Sequence, residues 1–197
     1  MPKDWKKYSS VVGCDIGGGR ARDAIVAIIY NKYEKQAWLA EELELESAEE
    51  DVETLATHLK RFYEKYKPSA ISLDYGGVGA RIAQVLRQRY GIPNVVPAIK
   101  KDKMSHLEEM RAEAYRGRLL FSTKSELFEE FSQIIYTPDF TEIDDENGLH
   151  SDLLDACLYA MRYVWNSWPQ EKPKEKTHKE KRIEEILKNR KKTRLGY

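Results

Sequence analysis

Two aspartates stand where carboxylates can do chemistry. Asp15 closes the apolar run Val11-Val12-Gly13-Cys14 and is followed by Gly17-Gly18-Gly19; Asp74 closes Ala70-Ile71-Ser72-Leu73 and is followed by Gly76-Gly77. A carboxylate at the end of a strand can project into the crevice at the sheet's carboxyl edge, where open α/β sheets bind ligands. Neighbouring strands that both end in Asp bring two negative charges together. That is unfavourable without a cation, and oxygen donors suit Mg²⁺ or Mn²⁺. Either aspartate alone could instead cap its loop through Asx-type bonds to the following glycine amides; the pairing weighs against that.

A third acidic element lies far along the chain, in His150-Ser151-Asp152-Leu153-Leu154-Asp155. Asp152 and Asp155 are three apart and share one side of a helix. Leu153, Cys157, Ala160 and Val164 form that helix's apolar stripe. Asp155 falls away from the stripe, beside Tyr159 and Arg162, and Asp152 lies between the two faces. An acid in a first helical turn is favourable on dipole grounds alone, which accounts for Asp152 more fully than for Asp155. His150 reads as a loop residue or a ligand.

The elements that must carry these acids follow from hydrophobic patterning. Apolar runs at 11–16 and 24–30 read as buried strands, and 36–45 alternates as a third, giving an antiparallel meander. Apolar spacing predicts a helix over 49–66, a strand at 70–74, a helix over 80–90 ended by Gly91, and a strand at 94–98. Helices are expected at 105–116, stopped by Gly117, at 125–136 with Ser125 as N-cap, and at 152–165 with Ser151 as cap. The acid-rich stretch 138–148 could hold a short hairpin. Together these predict a mixed α/β sheet, three antiparallel strands followed by parallel ones, flanked by helices, in the order found in ribonuclease-H-like folds. The expected organisation is a leading segment 1–10, one domain over 11–168, and a basic tail over 169–197.

The 197 residues carry 33 Lys+Arg and 33 Asp+Glu, a formal charge of zero. That balance argues against a surface uniformly coated for nucleic acid, but it hides an asymmetry. Residues 166–197 hold eleven basic and five acidic residues, so that segment is +6 and the remainder −6. Such a tail reads as a solvated, partly helical extension or as an electrostatic arm for phosphate or an acidic partner. No apolar run approaches the ~20 residues of a membrane span, and the N-terminus has no secretory pattern. Cys14 and Cys157, both among apolar neighbours, are expected to be reduced core thiols.

The three acidic motifs, in this order, resemble those of the C-terminal nuclease domain of the large terminase subunit, the DNA-packaging motor of tailed bacteriophages. Asp15-Ile16-Gly17-Gly18-Gly19-Arg20-Ala21-Arg22-Asp23 is similar to the family's first motif. Leu73-Asp74-Tyr75-Gly76-Gly77-Val78-Gly79-Ala80 is similar to the second, and His150 to Ala160 to the third. Arg111-Ala112-Glu113 matches a segment that such domains carry before the third motif. The resemblance spans roughly residues 10–165.

What the resemblance implies is a divalent-metal-dependent endonuclease that cuts double-stranded DNA, the concatemeric viral genome, by two-metal phosphodiester hydrolysis. Asp15 would bridge two Mg²⁺ or Mn²⁺ ions, with Asp74 and a third-motif aspartate, Asp155 or Asp152, each holding one. Asp23 would support the glycine loop and His150 would assist. Basic candidates for a DNA track are Arg20, Arg22, Lys100, Lys101, Lys103 and Arg111, each of which could equally be a solvated charge. The implied partners are DNA, a terminase ATPase domain, the portal protein and the small terminase subunit, with no membrane, in the host cytoplasm. No Gly-x-x-x-x-Gly-Lys-Ser/Thr motif occurs, so the chain is expected to be the nuclease portion without its ATPase. Three other readings compete. One is another ribonuclease-H-like nuclease, such as a Holliday-junction resolvase. A second is a sugar-kinase or actin-like ATPase, whose phosphate loop the first motif also resembles. The third is a non-catalytic docking module for portal or small subunit.

Overall fold

A computed structural model describes residues 1–17, 22–45, 52–135, 137 and 151–169. Its centre is a six-stranded mixed sheet: β1 (Ser9–Asp15), β2 (Asp23–Asn31), β3 (Gln36–Leu45), β4 (Ile71–Leu73), β5 (Val95–Pro97) and β6 (Leu119–Leu120). The spatial order is β5-β4-β1-β2-β3-β6. β1, β2 and β3 form the expected antiparallel meander, while β4 runs parallel to β1 and β5 parallel to β4. β6, parallel to β3 at the far edge, is an addition to the expected set. Two residues are too few to show any period, so nothing in the sequence announced it.

Five helices cover the sheet: α1 (Val52–Tyr66), α2 (Gly79–Gln88), α3 (Lys103–Tyr115), α4 (Glu126–Ser132) and α5 (Asp152–Ser167). Strand side chains alternate between two apolar layers. Val12, Cys14, Ile25, Ala27 and Ile29 pack on one face with Leu55, Leu59 and Phe62 of α1 and Ile82 and Leu86 of α2. Val11, Ala24, Val26 and Ile28 pack on the other with Leu153, Cys157, Met161 and Val164 of α5 and Leu107 and Met110 of α3. Burial on both faces explains why β1 and β2 read as continuous apolar runs rather than alternating ones.

α5 is buried almost all round, not along one stripe. Leu154, Ala156, Leu158, Tyr159 and Arg162 join the stripe residues in the interior. It lies across β1 at close range: a Cβ built on Gly13 would sit 1.9 Å from the Ala156 carbonyl oxygen and 2.9 Å from the Ala160 nitrogen. Only glycine permits that approach. α4 is shorter than its expected span, ending at Ser132. Both cysteines are free and buried. No helix among the described residues is long and apolar enough to cross a membrane. The expected hairpin at 138–148 and the basic tail from 170 onward lie outside the described residues.

Candidate active site

The carboxyl ends of β1 and β4 meet through their backbones. Parallel pairing sets Gly13 opposite Ser72 and Cys14 opposite Leu73, and the Asp74 amide donates to the Cys14 carbonyl at 3.0 Å. Asp15 ends β1, and Asp74 follows the last residue of β4. The two aspartates therefore emerge side by side at one sheet edge, fixed by ladder geometry.

Their loops treat them differently. Asp74 is buried, and its Oδ1 accepts from the Gly76 amide at 2.8 Å, the Asx contact that a capping role requires. Its Oδ2 takes the Lys100 ammonium at 2.6 Å. After Asp15, the glycine amide goes elsewhere: Gly17 donates to Asp23 Oδ1 at 3.0 Å, with Asp23 wholly buried. Asp23 thus holds the start of the glycine loop, as expected. A Cβ on Gly79 would lie 1.8 Å from the Asp74 carbonyl oxygen, so α2 can begin against the second motif only with glycine there.

α5 brings Asp155 to the same place. Burial, then the charges of Asp155 and Asp74, push the Asp15 carboxyl up to about 7, while Lys100 and the Tyr159 hydroxyl pull it back. Tyr159 is in turn raised far above its ordinary value by burial and by the three aspartates. Asp155 is half-buried and its Oδ2 pairs with Lys103 Nζ at 2.8 Å. Asp152 is buried, accepts the Arg22 amide at Oδ2 at 3.2 Å and adds to the negative charge felt by Glu130. The fold brings together Asp15, Asp74 and Asp155, with Tyr159, Lys100 and Lys103 around them.

The N-terminus of α5 is held by a residue that sequence reasoning missed. The Ser151 side chain makes no capping hydrogen bond, contrary to expectation. Instead Glu130 of α4 reaches across and accepts the amides of Leu153 at 3.3 Å and Leu154 at 2.7 Å. These are two of the four amides that a helix start leaves without intrahelical partners. The competition has a physical reason: a carboxyl group brings two oxygens to the two amides, where a serine hydroxyl brings one. The only sequence signal was an acid in the buried face of a short helix. Burial, opposed by these two bonds and reinforced by Glu44 and Asp152, pushes Glu130 up to about 8. Ser125, by contrast, caps α4 as expected, accepting the Phe128 amide at 3.1 Å, and Glu42 of β3 adds acceptors for the Glu126 and Leu127 amides.

Among the basic candidates, Lys100 and Lys103 reach the acids, whereas Lys101 is exposed beside them. Arg22 pairs with Glu44 at 2.8 Å and Arg111 with Glu108 at 3.2 Å. Arg162, also missed, donates through Nη1 to the Ile99 carbonyl and so ties α5 to the loop that carries Lys100. Arg20 and His150 lie outside the described residues.

Among the described residues no three or more His, Cys, Asp or Glu side chains are grouped closely enough to hold a metal ion as they stand. The donor chemistry nevertheless fits a hard divalent cation. Three carboxylates meet at one sheet edge, and burial, then the charges of Asp155 and Asp74, hold the Asp15 carboxyl above its ordinary value.

A mixed sheet with acids at the carboxyl ends of β1 and β4, and on a helix crossing β1, defines a ribonuclease-H-like fold. Residues 12–163 match the family described as the terminase RNaseH-like domain, and the chain belongs to that family. Solved structures agree in fold. The nuclease domain of the large terminase from bacteriophage SPP1, with bound Mn, has a TM-score of 0.61 at 19% identity, covering 83% of this chain and 91% of that one. The large terminase nuclease of thermophilic phage G20c with bound magnesium has a TM-score of 0.63 at 17% identity, covering 79% and 81%. The nuclease domain of the P22 large terminase has a TM-score of 0.59 at 17% identity, covering 83% and 91%. No curated protein matches this chain.

Proposed function

We propose that this chain is a divalent-metal-dependent endonuclease that cuts double-stranded DNA during phage genome packaging. The observation that carries the reading is the meeting of Asp15, Asp74 and Asp155, where burial, then the charges of Asp155 and Asp74, lift Asp15 to about 7. In this reading Asp15 would be shared between two cations, Mg²⁺ or Mn²⁺, with Asp74 and Asp155 each holding one and Asp152 assisting. Bound there, the cations would offset phosphate charge and lower the pKa of attacking water. The protein's own part is positioning. The β1–β4 ladder aligns Asp15 with Asp74, Asp23 fixes the glycine loop, and the Tyr159 hydroxyl orients Asp15.

In this reading the substrate would be concatemeric DNA, delivered with an ATPase domain, portal protein and small subunit in the host cytoplasm, as in the motor whose nuclease family this chain belongs to. The test is plasmid cleavage by the purified chain with Mn²⁺ or Mg²⁺, at low salt and protein excess. Nicked and linear products are expected without ATP, and none from Asp15→Ala or Asp74→Ala proteins that fold normally. Intact plasmid with both metals would refute the activity. Cutting restricted to four-way junctions would assign a resolvase instead.

A further inference from the structure

The two lysines on the outer carboxylates are held in an unusual way. Lys100 and Lys103 flank a short loop between β5 and α3 whose backbone is fastened at both ends. Arg162 of α5 donates to the Ile99 carbonyl, and the His106 ring meets the Asp102 carbonyl at 2.8 Å. Between them Asp102 adopts φ +59°, a left-handed conformation that Asp takes more readily than most non-glycine residues. The Cα atoms of both lysines are thereby fixed beside the acids. Their stems remain free to move. The side chains of Lys100 and Lys103 are 56% and 37% exposed, against 10% and 16% for the Asp74 and Asp155 side chains they pair with. Each ammonium thus sits at the solvent edge of a buried carboxylate.

We propose that Lys100 and Lys103 are exchangeable counter-ions of the acid cluster: each neutralises one outer carboxylate, then turns to a DNA phosphate once a divalent cation takes that carboxylate. The inference rests on the metal-dependent reading of the site. A lysine suits this exchange because its charge is compact and its four-carbon stem reorients without backbone movement. An ammonium on Asp74 Oδ2 and a cation on the same oxygen exclude each other, so loading and release are coupled by simple occupancy. Lys101, between the two and carrying the same charge, makes no ion pair among the described residues and provides an internal control.

The experiment compares the full chain with Lys100→Met, Lys103→Met and Lys101→Met. Calorimetric titration with Mn²⁺ should show tighter binding, on the order of fivefold, for each of the first two, because metal entry no longer displaces an ammonium. Lys101→Met should tighten it less than either. Binding of a short duplex is then measured against salt, in EDTA and in Ca²⁺. Each of the two variants should lower the salt slope by about one phosphate contact in Ca²⁺, and leave it unchanged in EDTA. Equal tightening by Lys101→Met would reduce the effect to general field and overturn the proposal. So would slopes that drop equally with and without metal. Wild-type protein that binds no Mn²⁺ would overturn the metal reading itself; wild-type binding with unchanged variants would overturn only the exchange.

Discussion

The acids of this site reach it by two routes. Asp15 and Asp74 are placed by a ladder: parallel pairing of β1 with β4 carries both to one edge, and backbone bonds alone set their spacing. Asp152 and Asp155 arrive on α5, whose first turn is held by one side chain, Glu130, from another helix. The end of each strand is marked locally, by an apolar run and the loop that closes it, although the partner strand lies far along the chain. A helix end pinned by Glu130 depends on a residue 22 positions before Asp152. The strand acids should therefore tolerate surface change, and the helix acids should feel it.

Where both routes rest on contact without space, the effects should be largest. Gly79→Ala drives a Cβ to 1.8 Å from the Asp74 carbonyl, and Gly13→Ala drives one to 1.9 Å from the Ala156 carbonyl. Both obstacles are backbone, which cannot turn aside like a side chain. Each substitution should cost at least about 1–3 kcal/mol in chemical denaturation and remove Mn²⁺ binding measurable by calorimetry. A Gly13→Ala protein with wild-type stability and metal affinity would show that α5 need not lie so close to β1.

Glu130 separates the two routes more finely. Glu130→Ala leaves the Leu153 and Leu154 amides without their acceptor and should cost about 1–2 kcal/mol. Hydrogen exchange should quicken in the first turn of α5 and not in β1 or β4. The pH dependence has a definite sign. A carboxyl whose ordinary value is 4.5 is raised to about 8 in the folded chain, so the native state holds a proton that the unfolded chain has released. That contribution is complete below about pH 4.5 and is lost as pH rises through 8. In metal-free buffer, wild-type stability should fall across this window, and Glu130→Gln should flatten the fall. A stability that rises between pH 5 and 8 and does so equally in the variant would mean that Glu130 is ionised throughout.

The same contrast explains what could be read in advance. β1 to β3, the parallel β4 and β5, and the strand-end placement of Asp15 and Asp74 were legible, because periodicity and glycine punctuation are local properties. Support of the glycine loop by Asp23 was expected from the resemblance, but its direct bond to the Gly17 amide was not. The cap of α5 was not legible. Ser151 has the right type and place, but it was outbid by an acid from a different element, and no local pattern encodes that competition. Arg22 and Arg111 were legible as basic candidates for a DNA track; their pairing with Glu44 and Glu108 becomes visible only in three dimensions. Lys100 and Lys103 were legible as basic residues and illegible as partners of Asp74 and Asp155.

The smallest effect lies one step further back. Ser125 caps α4, and α4 presents Glu130 to α5, so the chain of support runs from Ser125 and Glu42 through Glu130 to Asp155. Ser125→Ala should cost about 1 kcal/mol by thermal or chemical denaturation. Its effect on Mn²⁺ affinity should be smaller than that of Glu130→Ala, because Glu42 still accepts the Glu126 and Leu127 amides and keeps the start of α4 tethered to β3. Strand-borne Asp15 and Asp74 lie outside this chain. If Ser125→Ala weakens metal binding as strongly as Glu130→Ala does, the helix acids depend on α4 as a rigid unit, and Glu130 is one contact among several. If it does not, Glu130 alone carries the link.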